Sequence, residues 1–331
     1  MRVRTRAGGG VGGRGMAGTA IFRNLLAGAA PRLRLRPVKR RGLPVERPSR
    51  KLALISGSSA GLGQAAARAL AGRGFDLFLG GRDVDRLAEL QAELQRAHPD
   101  QLFFACAFDV RRPAEIEAAV ADCRRRFPRL DLIVTSAGLG VMDFLDRLDP
   151  SAGIVSQIET NLTGTILLVR AVLPWMMAQR SGTIVLIGSL AGRVAMPTYS
   201  IYAATKFGLV GFADALRREV GVWGIRVSLL LPGAVDTALV AESVARRRSR
   251  FRTPRRWVLQ ADQVGQAVAD LARRPRRVRV IPGWMRPLLW LARAFPGVVD
   301  RITERAFVRI ERADDLARSD SAPGGDAAHR P

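Results

Sequence analysis

From Lys51 onward the chain alternates short apolar, β-branched runs with longer segments whose apolar residues recur every three or four positions. The runs predict strands over Leu52–Ser56, Phe75–Gly80, Leu102–Phe108, Leu130–Thr135, Thr183–Gly188, Arg226–Leu231 and Arg277–Ile281. The periodic segments predict helices at about 62–73, 83–97, 113–127, 152–179, 199–222 and 262–273. Runs without a polar side are buried on both faces, and strands joined through helices pair in parallel. The pattern therefore predicts an α/β fold: a doubly wound, seven-stranded parallel sheet with helices on both faces.

Charge divides the chain more sharply than hydropathy does. The net charge is +24 over 331 residues, but residues 1–50 hold 13 basic and 1 acidic side chain, residues 51–240 hold 20 and 18, and residues 241–331 hold 20 and 10. A nearly neutral globular unit thus lies between two basic flanks. Only Lys39, Lys51 and Lys206 are lysines. A GC-rich coding genome produces such an arginine bias without selection for function, and Lys206 stands out against it. The flanks suit nucleic acid, anionic lipid or acidic partners, or are simply solvated; nothing in the middle supports specific nucleic-acid binding.

Cys106 and Cys123 do not make a disulfide framework, and His98 and His329 are the only histidines, so no metal site is expected. The apolar run Ile166–Met177 is interrupted by Arg170 and Pro174, and no transmembrane helix is expected. Residues 1–45 lack acids and are arginine-rich like a transit peptide, though not serine-rich; a start at Met16 is an alternative. We expect a disordered or processed extension over 1–48, the α/β domain over 49–283, two amphipathic helices split at Pro296-Gly297 over 284–312, and a disordered tail over 313–331. A cytoplasmic location is expected, with peripheral membrane contact through 284–310 and organellar targeting by the extension left open.

Two stretches carry chemistry. The first predicted strand runs into Ser56-Gly57-Ser-Ser59-Ala-Gly61-Leu62-Gly63 and then a helix. Glycines there allow a tight turn and close backbone approach, and the helix start offers N–H groups to a phosphate, as in a Rossmann-like dinucleotide fold. The second strand ends at Gly81-Arg82-Asp83, where such a fold meets the adenosine ribose. Gly81 leaves room and Arg82 suits a 2′-phosphate, which favours NADP(H) over NAD(H); Asp83 is read as the cap of the next helix. The other stretch follows the fifth strand: Ser189 at its end, then Tyr202-Ala-Ala-Thr-Lys206 on one helix. Four apart, Tyr202 and Lys206 share a face. An ammonium beside a phenol favours the phenolate and is expected to lower the phenol's pKa from its usual value of about 10.

The order and spacing of these motifs resemble the short-chain dehydrogenase/reductase family of single-domain type, from about Lys51 to Val240 and more loosely to Ile281. Further matches are Asp109-Val110 after the third strand, Ala137-Gly138 after the fourth, Asn161 in Glu-Thr-Asn-Leu-Thr-Gly, and Pro232-Gly233-Ala-Val-Asp-Thr237 after the sixth. Thr135-Ser136 stands where the family usually has two asparagines. The resemblance implies a catalytic set of Asn161, Ser189, Tyr202 and Lys206. It implies cofactor contacts from Gly57, Ser59, Gly61, Leu62, Gly63, Arg82, Asp109, Val110, Ala137, Gly138, Tyr202, Lys206, Pro232, Gly233 and Thr237. The expected activity is NADP(H)-dependent hydride transfer to or from a carbonyl or alcohol on a hydrophobic substrate by a homodimer or homotetramer. A 3-oxoacyl thioester on an acidic carrier is one alternative substrate, since Arg246–Arg256 holds seven arginines in the segment that covers the substrate in the family. A non-catalytic nucleotide-binding regulator is another reading. The aromatic and arginine-rich residues 284–310 lie on an anionic membrane, over the pocket or against a second subunit.

Overall fold

Strand residues that alternate between two cores build the centre of the molecule. The computed structural model describes residues 50–236 and 254–313. Strands β1 (Leu52–Ser56), β2 (Asp76–Gly81), β3 (Phe103–Ala107), β4 (Leu132–Thr135), β5 (Gly182–Ile187) and β6 (Ile225–Pro232) join a last strand at Val278–Ile281. All seven pair in parallel, in the order β3-β2-β1-β4-β5-β6-last. Leu54, Phe78, Ile133, Ile184 and Leu229 enter one core, while Ile55, Leu77, Leu79, Val134, Val185 and Leu230 enter the other. The central strands, covered on both faces, are mostly apolar along their length, and that is why the runs were readable from sequence.

Helices α1 (Gly61–Ala71) and α2 (Val84–Ala97) cover one face, and α3 (Pro113–Arg126) covers the other. On α3's side lie α4 (Pro150–Ala178) and α5 (Ser200–Val220). By length and composition alone α4 is long and apolar enough to cross a membrane, with 29 residues and a mean hydropathy of 1.3 over an 18-residue window. Here it supplies Leu168, Val169, Val172, Trp175 and Met176 to the core. Two π-turns interrupt it, at Pro150–Val155 and Glu159–Thr163, which a 3.6-residue period does not anticipate.

Among the described residues one pairing was not foreseen: β7 (Val235–Asp236) runs parallel to β8 (Leu259–Gln260), runs too short to register as strands in a sequence. Helix α6 (Ala261–Arg273) then packs along α1, and the last strand of the main sheet, β9 (Val278–Ile281), follows. Two further helices, α7 (Met285–Ala294) and α8 (Pro296–Thr303), end at a π-turn over Glu304–Val308. Residues 1–49, most of the arginine-rich segment 246–256 and the tail from 314 lie outside the described residues, as does Thr237.

Strand order decides where a ligand can bind. The chain leaves β1 towards β2 and β3 on one side, then returns to β4 on the other. In an open parallel sheet this switch point opens a crevice beyond the carboxyl ends of the strands, here between β1 and β4.

Candidate active site

The loop after β1 turns sharply at Gly57, whose φ of +70° favours glycine. It lies against the loop after β4: a Cβ at Gly57 would stand 2.7 Å from the amide nitrogen of Ala137. The two loops are held together from the β1 side, because the Ser56 hydroxyl accepts from the amides of Ser136 and Ala137 at 3.2 and 3.4 Å. The Thr135 hydroxyl, where the resemblance leads one to expect an asparagine, is buried without a partner. Ser56 therefore supplies part of the tie that Thr135 does not make.

The start of α1 fits a phosphate. Its N-cap, Ala60, has no side chain with which to cap the first-turn N–H groups, so no side chain competes for them. Gly63 is so close to the turn that a Cβ there would lie 2.1 Å from the Gly57 carbonyl oxygen. Leu62 packs against the adjoining core. At the end of β2, a side chain on Gly81 would crowd the Ser59 hydroxyl, 3.1 Å from the Cβ position. Arg82 follows, exposed, and Asp83 caps α2 by accepting from the Arg86 amide at 3.1 Å.

After β3, Asp109 is gripped by Arg111 through Nη2 at 2.6 Å and Nε at 2.9 Å. Burial pushes its carboxyl up, but the Arg111 side-chain and backbone hydrogen bonds, with the charges of Arg111 and Arg82, hold it below its ordinary range. Val110 is buried in the core, beneath Gly164 of α4. Its side chain therefore serves packing.

Asn161 sits in the second π-turn of α4, fully buried. Its amide closes on the loop after β4 from both sides, accepting from the Leu139 amide at 2.6 Å and donating to the Leu139 carbonyl at 2.8 Å. It also donates to the Thr205 hydroxyl at 3.4 Å. One turn earlier, Gln157 does the same for Val141, accepting at 3.1 Å and donating at 3.0 Å. Sequence reading missed Gln157, although its spacing of four from Asn161 was available. Together these two amides set the loop that continues from Ala137-Gly138.

Ser189, Tyr202 and Lys206 meet at the carboxyl end of β5. Ser189 caps a short turn by accepting from the Ala191 amide at 3.1 Å, and its hydroxyl hydrogen-bonds the Tyr202 phenol. Lys206 stands with Nζ 5.4 Å from the Tyr202 ring centroid and donates to the Ile187 carbonyl at 3.2 Å. Tyr199 packs edge-on to Tyr202 at 6.1 Å. Pro232 ends β6, and Gly233 donates to the Ile281 carbonyl at 2.8 Å, beside Leu190 and Met285.

The titration of this group departs from expectation. Burial pushes Tyr202 up to about 12, the Ser189 hydrogen bond pulls it back in part, and Tyr199 adds to the rise. Burial brings Lys206 down to about 8. Desolvation disfavours each charged form, and burial, not the neighbouring ammonium, decides where the phenol titrates. At neutral pH the phenol thus holds its proton, while the Lys206 ammonium titrates closer to neutrality than an ordinary lysine does.

A strained residue lies just ahead of α5. Thr198, four before Tyr202, has a φ of +68°, which a β-branched side chain rarely adopts, and its buried hydroxyl has no partner. Sequence carried no sign of it.

Residues 51–248 match the family described as short chain dehydrogenase. An uncharacterised oxidoreductase of Staphylococcus saprophyticus is 34% identical over 191 residues, covering 57% of this chain and 76% of its own. A 3-oxoacyl-[acyl-carrier-protein] reductase of Bos taurus is 32% identical over 192 residues, 58% of this chain and 78% of its own. The X-ray structure of an alcohol dehydrogenase of the archaeon Thermococcus sibiricus, complexed with 5-hydroxy-NADP, superposes with a TM-score of 0.62 at 30% identity, covering 70% of this chain and 94% of that one.

Proposed function

The chain belongs to the short-chain dehydrogenase family, and from that premise we propose that it is an NADP(H)-dependent oxidoreductase acting on a carbonyl or alcohol of a hydrophobic substrate, with Tyr202 as the general acid and base. The observation that carries this reading is the meeting of Ser189, Tyr202 and Lys206 beside the glycine-lined crevice at the switch point. The bare, close-packed turn at Gly57 and Gly63 and the uncapped start of α1 fit a dinucleotide pyrophosphate. Arg82, following Gly81, would take a 2′-phosphate. Ala137, Gly138, Pro232 and Gly233 would border the nicotinamide half.

The nicotinamide, when bound, supplies or takes the hydride. In reduction the protonated phenol of Tyr202 gives its proton to the carbonyl oxygen, and the Ser189 hydroxyl donates a hydrogen bond where negative charge develops. Lys206 faces the tyrosinate that remains and stabilises it electrostatically. Asn161 keeps the 139–141 loop and Thr205 in register with that group.

The charge on Lys206 sets the pH dependence. Its pKa of about 8 means that the cation is present below that pH and lost above it. We expect kcat/KM for carbonyl reduction to be level on the acid side of pH 8 and to fall as pH rises through that value. A rate profile that stays level into the ordinary lysine range would remove this role from Lys206.

Cofactor preference tests the rest. Titrated against nicotinamide fluorescence, the protein should bind NADPH more tightly than NADH. Arg82→Ala should weaken NADPH by roughly 10- to 100-fold, the worth of a hydrogen bond to a charged group, and leave NADH unchanged. Tighter binding of NADH would overturn the NADP(H) reading. The similarity to a 3-oxoacyl-[acyl-carrier-protein] reductase favours a second substrate class, an oxoacyl thioester reduced by the same residues.

A further inference from the structure

Helices α7 and α8 bury one side and leave another apolar side bare. Leu288 and Leu291 lie on one face of α7, and Trp284 and Phe295, the residues that flank it, continue the same spacing of four, three and four. They are 48%, 49%, 45% and 55% exposed, and Trp290 beside them is 69% exposed. Val298 and Ile302 carry the exposed apolar surface onto α8. The same segment has a separate inner side, where Met285, Leu289 and Val299 are less exposed and Phe307 is buried. The helices are thus already seated, and the outward stripe is surplus to that seating.

Charge narrows what the stripe can face. Residues 284–313 contain six arginines against three acids, and Arg301 and Arg305 flank Ile302. Two copies of this basic surface would repel one another on meeting. An anionic lipid surface takes both components, with aromatic and aliphatic side chains in the interface and guanidinium groups at the headgroups. Position adds a third element, because the stripe begins at the rim of the active site. The Trp284 ring lies 5.7 Å from that of Trp257. The Met285 sulfur stands beside Gly233 and Leu190, the residue after Ser189.

We infer that the stripe from Trp284 to Ile302 docks this enzyme on an anionic lipid surface with the active-site rim against the membrane, so that a hydrophobic carbonyl or alcohol substrate enters from the lipid phase. The substrate half rests on the oxidoreductase reading above; the docking half does not.

The test uses the full chain and a variant of equal charge, Leu288→Ser with Trp290→Ser, Leu291→Ser and Phe295→Ser. All four positions are exposed, so the fold is retained, and electrostatic attraction from arginines elsewhere is the same in both proteins. Both are sedimented with phosphatidylcholine vesicles containing or lacking phosphatidylglycerol. NADPH oxidation is then followed with diacetyl in solution and with a long-chain methyl ketone dissolved in the vesicles. The wild type should pellet with the anionic vesicles, and the variant should bind them at least about tenfold more weakly, since four large apolar side chains no longer enter the interface. Turnover of diacetyl should be equal, while turnover of the vesicle-borne ketone should fall only in the variant. Equal pelleting of the two proteins overturns the docking surface. So does a wild-type dimer that the variant dissociates with no change in vesicle binding, which would make a second copy the occupant. If neither ketone is turned over while vesicle binding still differs, the oxidoreductase reading falls and the docking surface stands.

Discussion

Tyr202→Phe should reduce carbonyl turnover by about a thousandfold or more, within the range that loss of a general acid produces, while NADPH affinity and thermal stability stay close to wild type. A thousandfold loss is about 4 kcal/mol of transition-state stabilisation. The change removes only the phenol oxygen. The ring keeps its edge-on packing against Tyr199, and Ser189, itself a partly exposed residue, can turn its hydroxyl to water. With the pKa of Tyr202 pushed up to about 12, the proton to be delivered is present throughout the neutral range, so its loss cannot be disguised by a shift in assay pH. Tyr199→Phe is the matching control. Tyr199 is the one other tyrosine in the chain, lies three residues before Tyr202, and should be dispensable for proton transfer. Single-turnover and steady-state assays of both variants would decide the matter. Substantial reduction by Tyr202→Phe, or a comparable loss in Tyr199→Phe, would take the acid–base role away from Tyr202.

These variants address residues that local spacing brought to notice. Tyr202 and Lys206 are one helical turn apart, Gly57 to Gly63 lie within one loop, and Asp83 caps the helix it begins, so each could be found from near neighbours in sequence. The strands were legible for a related reason, since burial on both faces leaves β1, β4 and β5 apolar but for a residue at or next to one end of each, Ser56, Thr135 and Thr183. What could not be read depends on distant segments. The phenol's upward shift comes from its burial among the elements packed around it, which the nearby Lys206 in the sequence does not foretell. The tie between the β1 and β4 loops passes through Ser56, 80 residues before its partner Ser136. The hold of Gln157 on Val141 needs a π-turned helix laid beside a loop, and no periodicity encodes that arrangement. Thr198 is a backbone outlier whose residue type argues against its conformation.

The loop that would receive the pyrophosphate offers the other large effect. In Gly63→Ala the new methyl would lie 2.1 Å from the Gly57 oxygen and 2.6 Å from its carbonyl carbon, both main-chain atoms that no rotamer change can move. Gly57 has little freedom to retreat, because the space where its Cβ would stand is already filled by the backbone of Ser136 and Ala137. The overlap must therefore be relieved by shifting the turn away from the start of α1. Overpacking of this kind costs about 1–3 kcal/mol, or roughly 2–12 °C in the thermal midpoint of a domain this size. The same shift separates the turn from the N–H groups at the helix start, so NADPH affinity should fall at least about a hundredfold, more than the stability loss alone would cause. Gly211→Ala distinguishes this from a generic intolerance of glycine replacement. Gly211 is exposed on α5 with nothing within 4 Å of its Cβ position. Alanine there should stabilise the helix by about 0.5–1 kcal/mol and leave cofactor binding untouched. Differential scanning fluorimetry with and without NADPH reads both quantities. A Gly63→Ala protein with wild-type midpoint and affinity would mean that the turn and the helix start do not approach as closely as described, and that the phosphate is held elsewhere.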